Sequence, residues 1–324
     1  MDLFNHTPFP ALMMRFCASP EVMGASMVAR VTYDLRHGIA TPSDEQSWIV
    51  SPKPWECAYG AMEADEVFCK GGTDLFVFGS ARTPRERPLT EMIVSITAGN
   101  FRRDVLVVGD RAWVARGSGL TMTSPQPFVA MPLTLKNAYG GTSEWDGLEV
   151  PFADNPHGRG FFLEREQAVG KRLPNLEEPR APIRRWDDRP APVGVGICPP
   201  SHGGRLRAGL TLGKNGEMQK IHARLYNAAF PEMVITDEVK PGTPIRLAGV
   251  SHEGPVTFTV PEIPIVFRLM LDRQGIVRTP RIDQIGIEVD KQRIFITYRY
   301  PFRYVLYERQ RRSAELWPAR PAGA

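Results

Sequence analysis

Met92-Ile93-Val94-Ser95-Ile96-Thr97-Ala98-Gly99-Asn100-Phe101-Arg102-Arg103-Asp104-Val105-Leu106-Val107-Val108 reads as a β-hairpin on local chemistry alone. Ile93, Ser95 and Thr97 alternate with Val94 and Ile96, the period of a strand with one buried face. Gly99-Asn100 is a two-residue turn of the kind that suits hairpins. Gly109-Asp110-Arg111 turns the chain again toward Trp113, so a β-meander is the simplest continuation, with Arg102, Arg103 and Asp104 on its edge or solvent face.

Working outward, the same signals recur. Residues 27–34 alternate and are rich in β-formers, and 74–79 form a short apolar strand bounded by glycine. Residues 80–88, with three arginines and two prolines, read as a solvated connection. Residues 125–139 fit one or two helical turns or a strand, and 164–171 a short helix ending at Gly170. Beyond residue 200, four hairpins are predicted: 205–212 with 218–225 across Lys214-Asn215-Gly216-Glu217, 245–250 with 256–260 across Ser251-His252-Glu253-Gly254, 265–271 with 276–278 across Asp272-Arg273-Gln274-Gly275, and 284–289 with 293–300 across Asp290-Lys291-Gln292. No repeat of fixed period is present. Residues 319–324 read as a disordered tail. The predicted fold is mainly β: meanders and hairpins in a sandwich- or barrel-like body.

Composition agrees. The chain has 324 residues, 30 of them proline and 29 glycine, against a usual combined share of about 12%; the excess favours turns and strands over helices. A single domain spanning 1–324 is expected, with two β subdomains, about 1–150 and 201–312, as the alternative division. Charge is nearly balanced at +4, which does not by itself argue for nucleic acid. Cys17, Cys57, Cys69 and Cys198 form no CxxC pair or zinc-like spacing, so free reduced thiols are expected. No signal peptide is legible, and no apolar run approaches the roughly 20 residues of a membrane span. A cytoplasmic setting follows by elimination.

Between the two β-rich halves lies the most distinctive stretch. It begins Asn155-Pro156-His157-Gly158-Arg159-Gly160-Phe161 and continues through Leu173-Pro174-Asn175-Leu176-Glu177-Glu178-Pro179 to Pro182-Ile183. Seven prolines between 174 and 200 rule out a regular helix or central strand. Phe161, Phe162, Leu173, Leu176 and Ile183 nevertheless need burial. The stretch therefore reads as a long ordered loop clamped to the body, and long ordered loops are usually functional. Asn155, Gly158 and Gly160 should set its path, and Asn175 and Glu177 should pin its second half by side-chain-to-backbone bonds. Arg159 reads as an exposed charge whose loss would spare stability.

The patterns that could carry catalysis are incomplete. The six histidines form no HExxH-type pair. His157 with Asp154 or Glu177 could make an acid–base pair; a loop histidine bonded to backbone is the plainer account. Gly71-Gly72-Thr73 lacks the ending of a phosphate loop, Gly158-Arg159-Gly160 and Gly194-Val195-Gly196 are too short for a dinucleotide fingerprint, and Ser201-His202 side by side do not make a triad. Tyr298, Tyr300, Phe302, Tyr304 and Tyr307, interleaved with Arg299, Arg303 and Arg309, could stack on single-stranded nucleic acid, but their alternation suits a final strand with one buried face.

The blocks Asn5-His6-Thr7-Pro8-Phe9, Lys70-Gly71-Gly72-Thr73-Asp74-Leu75-Phe76-Val77-Phe78-Gly79, Val107-Val108-Gly109-Asp110-Arg111-Ala112-Trp113, Pro127-Phe128-Val129-Ala130-Met131-Pro132-Leu133 and Asn137-Ala138-Tyr139-Gly140-Gly141, with the central stretch, resemble in order and spacing the family known as domain of unknown function 2169, found beside type VI secretion genes. The resemblance runs from about residue 5 to about 261. It departs at Tyr226-Asn227-Ala228-Ala229-Phe230-Pro231, where Phe230 stands in place of the usual proline and no Asp-Gln follows. The resemblance implies a non-enzymatic adaptor or chaperone that binds a toxic effector and loads it onto the VgrG- or PAAR-type spike. No catalytic residues come with it, and no cofactor, metal, membrane or nucleic-acid partner is expected. The expected protein-binding residues are Asn155, Arg159, Phe161, Asn175, Glu177 and Asn227.

Overall fold

The computed structural model describes residues 1–271, 274–306 and 312–319. The Asp272-Arg273 turn, Tyr307, Arg309 and the tail from 320 lie outside the described residues.

The founding hairpin is present: Glu91–Ala98 pairs antiparallel with Phe101–Val108, Ala98 facing Phe101. Gly99 has φ +57°, a conformation open to glycine at the first position of such a turn. The chain does not continue as a meander. Trp113–Arg116 pairs with Gly119–Met122 in a separate hairpin, and the outer neighbour of Phe101–Val108 is Leu176–Glu177 from the central loop. With Pro244–Ala248 and Val256–Thr259 these strands complete a five-stranded sheet. The proline-rich stretch thus contributes a two-residue strand at a sheet edge, where missing N–H donors are tolerated.

A seven-stranded sheet forms the centre of the molecule. Its order is Ala11–Ser19, Val22–Arg36, Arg293–Val305, Arg281–Glu288, Thr73–Phe78 and Val234–Ile235, with Ile39–Pro42 also on Val22–Arg36. All its pairings are antiparallel except Thr73–Phe78 with Arg281–Glu288, which run parallel. A four-stranded sheet joins the chain's ends: Arg312–Pro318 lies between Asp2–Asn5 and Ile265–Leu271. The sheets form a sandwich-like body and not a closed barrel. Strands from before and after the central loop interleave in both larger sheets.

The two faces of the seven-stranded sheet differ chemically. Met27, Ala29, Val31 and Tyr33 join Ile285, Ile287, Ile294 and Ile296 in a core shared with Val94, Ile96, Val105 and Leu247 of the five-stranded sheet. The other face carries Arg30, Thr32, Asp74, Gln284, Thr297 and Arg299, all buried. Buried arginines are costly unless paired and hydrogen-bonded. Here the segment 43–72 lies over that face and provides the partners. Arg30 Nη2 bonds Asp65 Oδ1 at 2.6 Å and Gln284 Oε1 at 2.8 Å, and its Nη1 bonds the Ile49 carbonyl. Arg299 pairs with Asp283 at 2.9 Å and donates to the carbonyls of Asp65 and Val67. Trp48 Nε1 and the Tyr59 hydroxyl both donate to Glu288.

Two local expectations are corrected, and one strand is new. Residues 203–209 are a helix, Gly203–Gly209, and only Leu210–Leu212 is strand; the helix lets Arg205 reach Glu63 Oε2 at 2.8 Å and the Leu225 carbonyl at 2.7 Å. Residues 80–88 are not simply solvated: Ser80–Arg82 pairs with Ala130–Pro132, and Ala81 and Thr83 are buried. Arg312–Pro318 is a strand that sequence periodicity did not reveal. Among the described residues no helix is long and apolar enough to cross a membrane.

Candidate functional site

The central loop builds a second, smaller core. Trp113, Tyr139, Phe161, Phe162, Ala168, Leu173 and Ile183 pack together, with Val150, Phe152 and Trp186 at the margin. The Arg189 guanidinium lies 5.2 Å from the centre of the Phe161 ring, within cation–π range. The apolar residues 161, 162, 173, 176 and 183 are all buried, as their character requires.

Polar side chains hold this core to the body. Asn155 Nδ2 donates to the carbonyls of Leu135 at 2.8 Å and Tyr139 at 3.0 Å, and the Asn155 carbonyl accepts from Gly141 at 2.8 Å. The backbone passes so closely that a Cβ on Gly158 would stand 2.3 Å from Asn155 Nδ2, and one on Gly140 2.1 Å from the Asn155 carbonyl oxygen. Asn175 Nδ2 donates to the Val108 carbonyl at 2.9 Å and Asp110 Oδ1 at 3.1 Å. Glu177 accepts from the Ile183 N–H at 2.9 Å through one carboxylate oxygen and from Arg111 through the other. Burial pushes the Glu177 carboxyl above its ordinary range, against the pull of Arg111 and the Ile183 N–H. The Asn175 and Glu177 bonds are the pinning expected of them, and the Asn155 bonds hold the path it was expected to set with Gly158 and Gly160.

A partner-facing role for the same side chains does not match their placement. Asn155, Phe161, Asn175, Glu177 and Asn227 are buried, because each is needed to satisfy backbone or to fill a core. Arg159 is half-buried and points inward: it donates to the Lys136 carbonyl at 2.9 Å, Asn137 Oδ1 at 2.8 Å and Asn175 Oδ1 at 3.3 Å. It is an internal clamp, contrary to its reading as an exposed charge. Asn227 belongs to a different cluster. It bonds the Gly72 carbonyl and Asp74 Oδ1, both at 2.9 Å, and accepts from the Gly71 N–H at 3.1 Å. Burial opposes ionisation of Asp74, but Lys70 at 2.7 Å, Asn227 and the Ala228 N–H outweigh it and hold the carboxyl below its ordinary range.

His157 is exposed and is not joined to Glu177, whose oxygens are occupied by Arg111 and Ile183. Asp154 Oδ1 instead accepts from the Gly203 N–H at 2.6 Å. Burial pushes the Cys198 thiol up to about 12, far from a thiolate at neutral pH. Among the described residues no three His, Cys, Asp or Glu side chains gather to hold a metal. Tyr298 and Arg299, part of the aromatic–basic stretch, are buried in the large sheet and offer no stacking surface.

The clamped region also presents two large apolar side chains to solvent, beside the exposed acids Glu144, Asp146 and Glu149. Thr142–Trp145 and Leu148–Pro151 form a hairpin whose Ser143 and Val150 face each other, as do Trp145 and Leu148. Ser143 Oγ accepts from the Leu163 N–H at 2.9 Å, and Gln167 Nε2 donates to the Glu144 carbonyl at 2.7 Å, tying the hairpin's base to the loop. Beyond that base Trp145 is 57% exposed and Leu148 69%. Asp146-Gly147, both at positive φ, make the tight tip. Sequence reading missed this pair, although Trp145-Asp146-Gly147-Leu148 carries a hairpin signal.

A sandwich-like β scaffold thus carries a polar-clamped loop and a hairpin with an exposed apolar pair. The chain belongs to the family described as an uncharacterized protein conserved in bacteria, domain of unknown function 2169, whose model matches residues 21–299. The match begins later and runs further than the resemblance read from the motifs. No curated protein and no solved structure matches the chain.

Proposed function

We propose that this protein is an adaptor-chaperone that binds a secreted effector in the cytoplasm and helps seat it on the VgrG- or PAAR-type spike of a type VI secretion system. The resemblance of the motif blocks to a family found beside type VI secretion genes supports the secretion context. The observation that carries the binding role is the Trp145–Leu148 pair, held in solvent on a hairpin whose base is hydrogen-bonded to the central loop. Tryptophan is a frequent interface anchor, and a preorganised hairpin loses little entropy on docking. Covering apolar surface on an unloaded effector would limit its aggregation, and competition by the spike would release it.

The test is co-expression with a toxin encoded beside the gene, followed by co-purification. The native chain should retain the toxin, and Trp145→Asp with Leu148→Asp should lose it at an unchanged melting temperature. Absence of a complex with the native chain would refute the adaptor role. Full retention by the folded double variant would remove this hairpin from the interface.

A further inference from the structure

A second projection has a different chemistry. Residues 203–226 leave the body as the helix Gly203–Gly209, a hairpin of Leu210–Leu212 with Met218–Ile221, and the turn Ala223–Tyr226. Its base is firm. Arg205 pairs with Glu63 and donates to the Leu225 carbonyl, and a Cβ on Gly209 would stand 2.5 Å from Leu225 Cα. The hairpin strands, in contrast, pair only with each other among the described residues, and an isolated two-stranded ribbon is marginal in water.

The register concentrates apolar side chains on one face of that ribbon. Leu210 faces Ile221, Thr211 faces Lys220, and Leu212 faces Met218. The shift between Thr211 and Leu212 skips Gln219, so the bulge places a methionine where regular pairing would place a glutamine. Leu210, Leu212, Met218 and Ile221 consequently share a face. Leu212, Met218 and Ile221 are 57%, 60% and 46% exposed, and Leu206 and Tyr226 of the same excursion are exposed too. Five of the 18 large apolar side chains exposed among the described residues therefore fall in this short excursion, too many for scattered surface residues.

The ribbon end of the excursion is basic, whereas at its base Arg205 is paired with Glu63 and Asp154 meets the Gly203 N–H. Residues 203–226 contain five arginines and lysines and one acid, Glu217. Arg207, Lys214 and Lys220 form no ion pair among the described residues. We infer that this hairpin docks an extended apolar segment of a partner protein, flanked by acidic residues, which adds to the ribbon as a further strand. Strand addition uses the ribbon's open edges, and the basic surroundings select the flanks. A second copy of this chain would bring like charges together. A bilayer fits less well, because the apolar side chains line the strands whereas the tip, Gly213-Lys214-Asn215-Gly216-Glu217, is polar.

The experiment uses the full chain and a fluorescein-labelled peptide of alternating valine and threonine with glutamates at both ends. The controls are a lysine-flanked counterpart and vesicles of phosphatidylglycerol and phosphatidylcholine. Anisotropy should show saturable binding of the glutamate-flanked peptide, with binding of the lysine-flanked peptide weaker by about tenfold or more. Leu212→Asp with Met218→Asp, and separately Lys214→Glu with Lys220→Glu, should each weaken the glutamate-flanked complex by about tenfold or more. If the aspartate pair lowers the melting temperature, the lysine reversals carry the test. No saturable binding, or equal affinity for both peptides, would overturn the inference. Vesicle binding without peptide binding would also overturn it, as would a dimer by light scattering that the substitutions dissolve. Toxin co-purification that survives while peptide binding fails sinks this surface alone; the reverse result sinks the adaptor reading and leaves the surface.

Discussion

Gly160→Val tests whether the central loop is held on a path that only glycine can take. Gly160 has φ +99° and pairs with Gly140 in a short parallel bridge. A Cβ there would stand 2.8 Å from Pro174 Cδ and 3.5 Å from Tyr139 Cδ2. The backbone conformation costs a residue with a Cβ about 1–2 kcal/mol. Forcing the extra carbons against Pro174, which the Asn175 hydrogen bonds hold in place, adds about 1–3 kcal/mol. The sum, about 2–5 kcal/mol, lowers the melting temperature by about 4–20 °C at the roughly 2–4 °C per kcal/mol of large domains. Gly170→Ala is the control: φ is +75° but nothing lies within 4 Å of its Cβ, so only the backbone term of about 1–2 kcal/mol applies. Thermal melts of both variants, alongside toxin co-purification, check the reasoning. Gly160→Val melting with the native chain, or no lower than Gly170→Ala, would refute the tight path and with it the clamped-loop account of the site.

Arg159→Ala removes three inward hydrogen bonds and should cost about 1.5–3 kcal/mol in urea unfolding; an unchanged midpoint would restore its reading as a free surface charge. Arg111→Met leaves Glu177 buried without its cation and should cost about 3–5 kcal/mol at neutral pH. Because the folded carboxyl then ionises still further above its ordinary 4.5, the deficit should shrink as pH falls toward that value, and a deficit independent of pH would contradict the pairing. His202 is buried with both ring nitrogens unpartnered, and burial lowers its pKa below 6.5 against Asp154 and Glu232, with Arg207 and Arg205 adding to the shift. The unfolded chain therefore takes up the proton first, so stability should decline as pH drops through 6.5, and His202→Phe should flatten that slope in pH-dependent melts. Asn227→Ala loses bonds to Gly71, Gly72 and Asp74 and should destabilise by about 2–3 kcal/mol, with toxin retained by the protein that remains folded; selective loss of toxin would make Asn227 a contact after all.

Much of the strand structure was legible because turn chemistry is local. Gly99-Asn100, Asn215-Gly216 and Asp290-Lys291-Gln292 sit at the turns their residue types imply. Asn155, Asn175 and Glu177 could be assigned as clamps from side-chain chemistry and the need to satisfy a loop's backbone. Which surface faces outward was not legible, because burial depends on what covers a residue. Arg30 and Arg299 read as charged positions on strands, and only the segment 43–72, folded over the large sheet, makes them internal. Arg159 faces inward because Asn137 and Asn175 arrive from other turns. The alternation of residues 205–212 suited a strand, but Gly203–Gly209 is a helix that carries Arg205 to Glu63 and the Leu225 carbonyl. The parallel pairing of Thr73–Phe78 with Arg281–Glu288 joins strands about 200 residues apart, and no turn signal reports a contact made across that distance. Local residue chemistry determined the hairpins and the clamps; long-range packing alone decided sheet order, the burial of the charged face and the exposure of Trp145, Leu148 and the 210–221 ribbon.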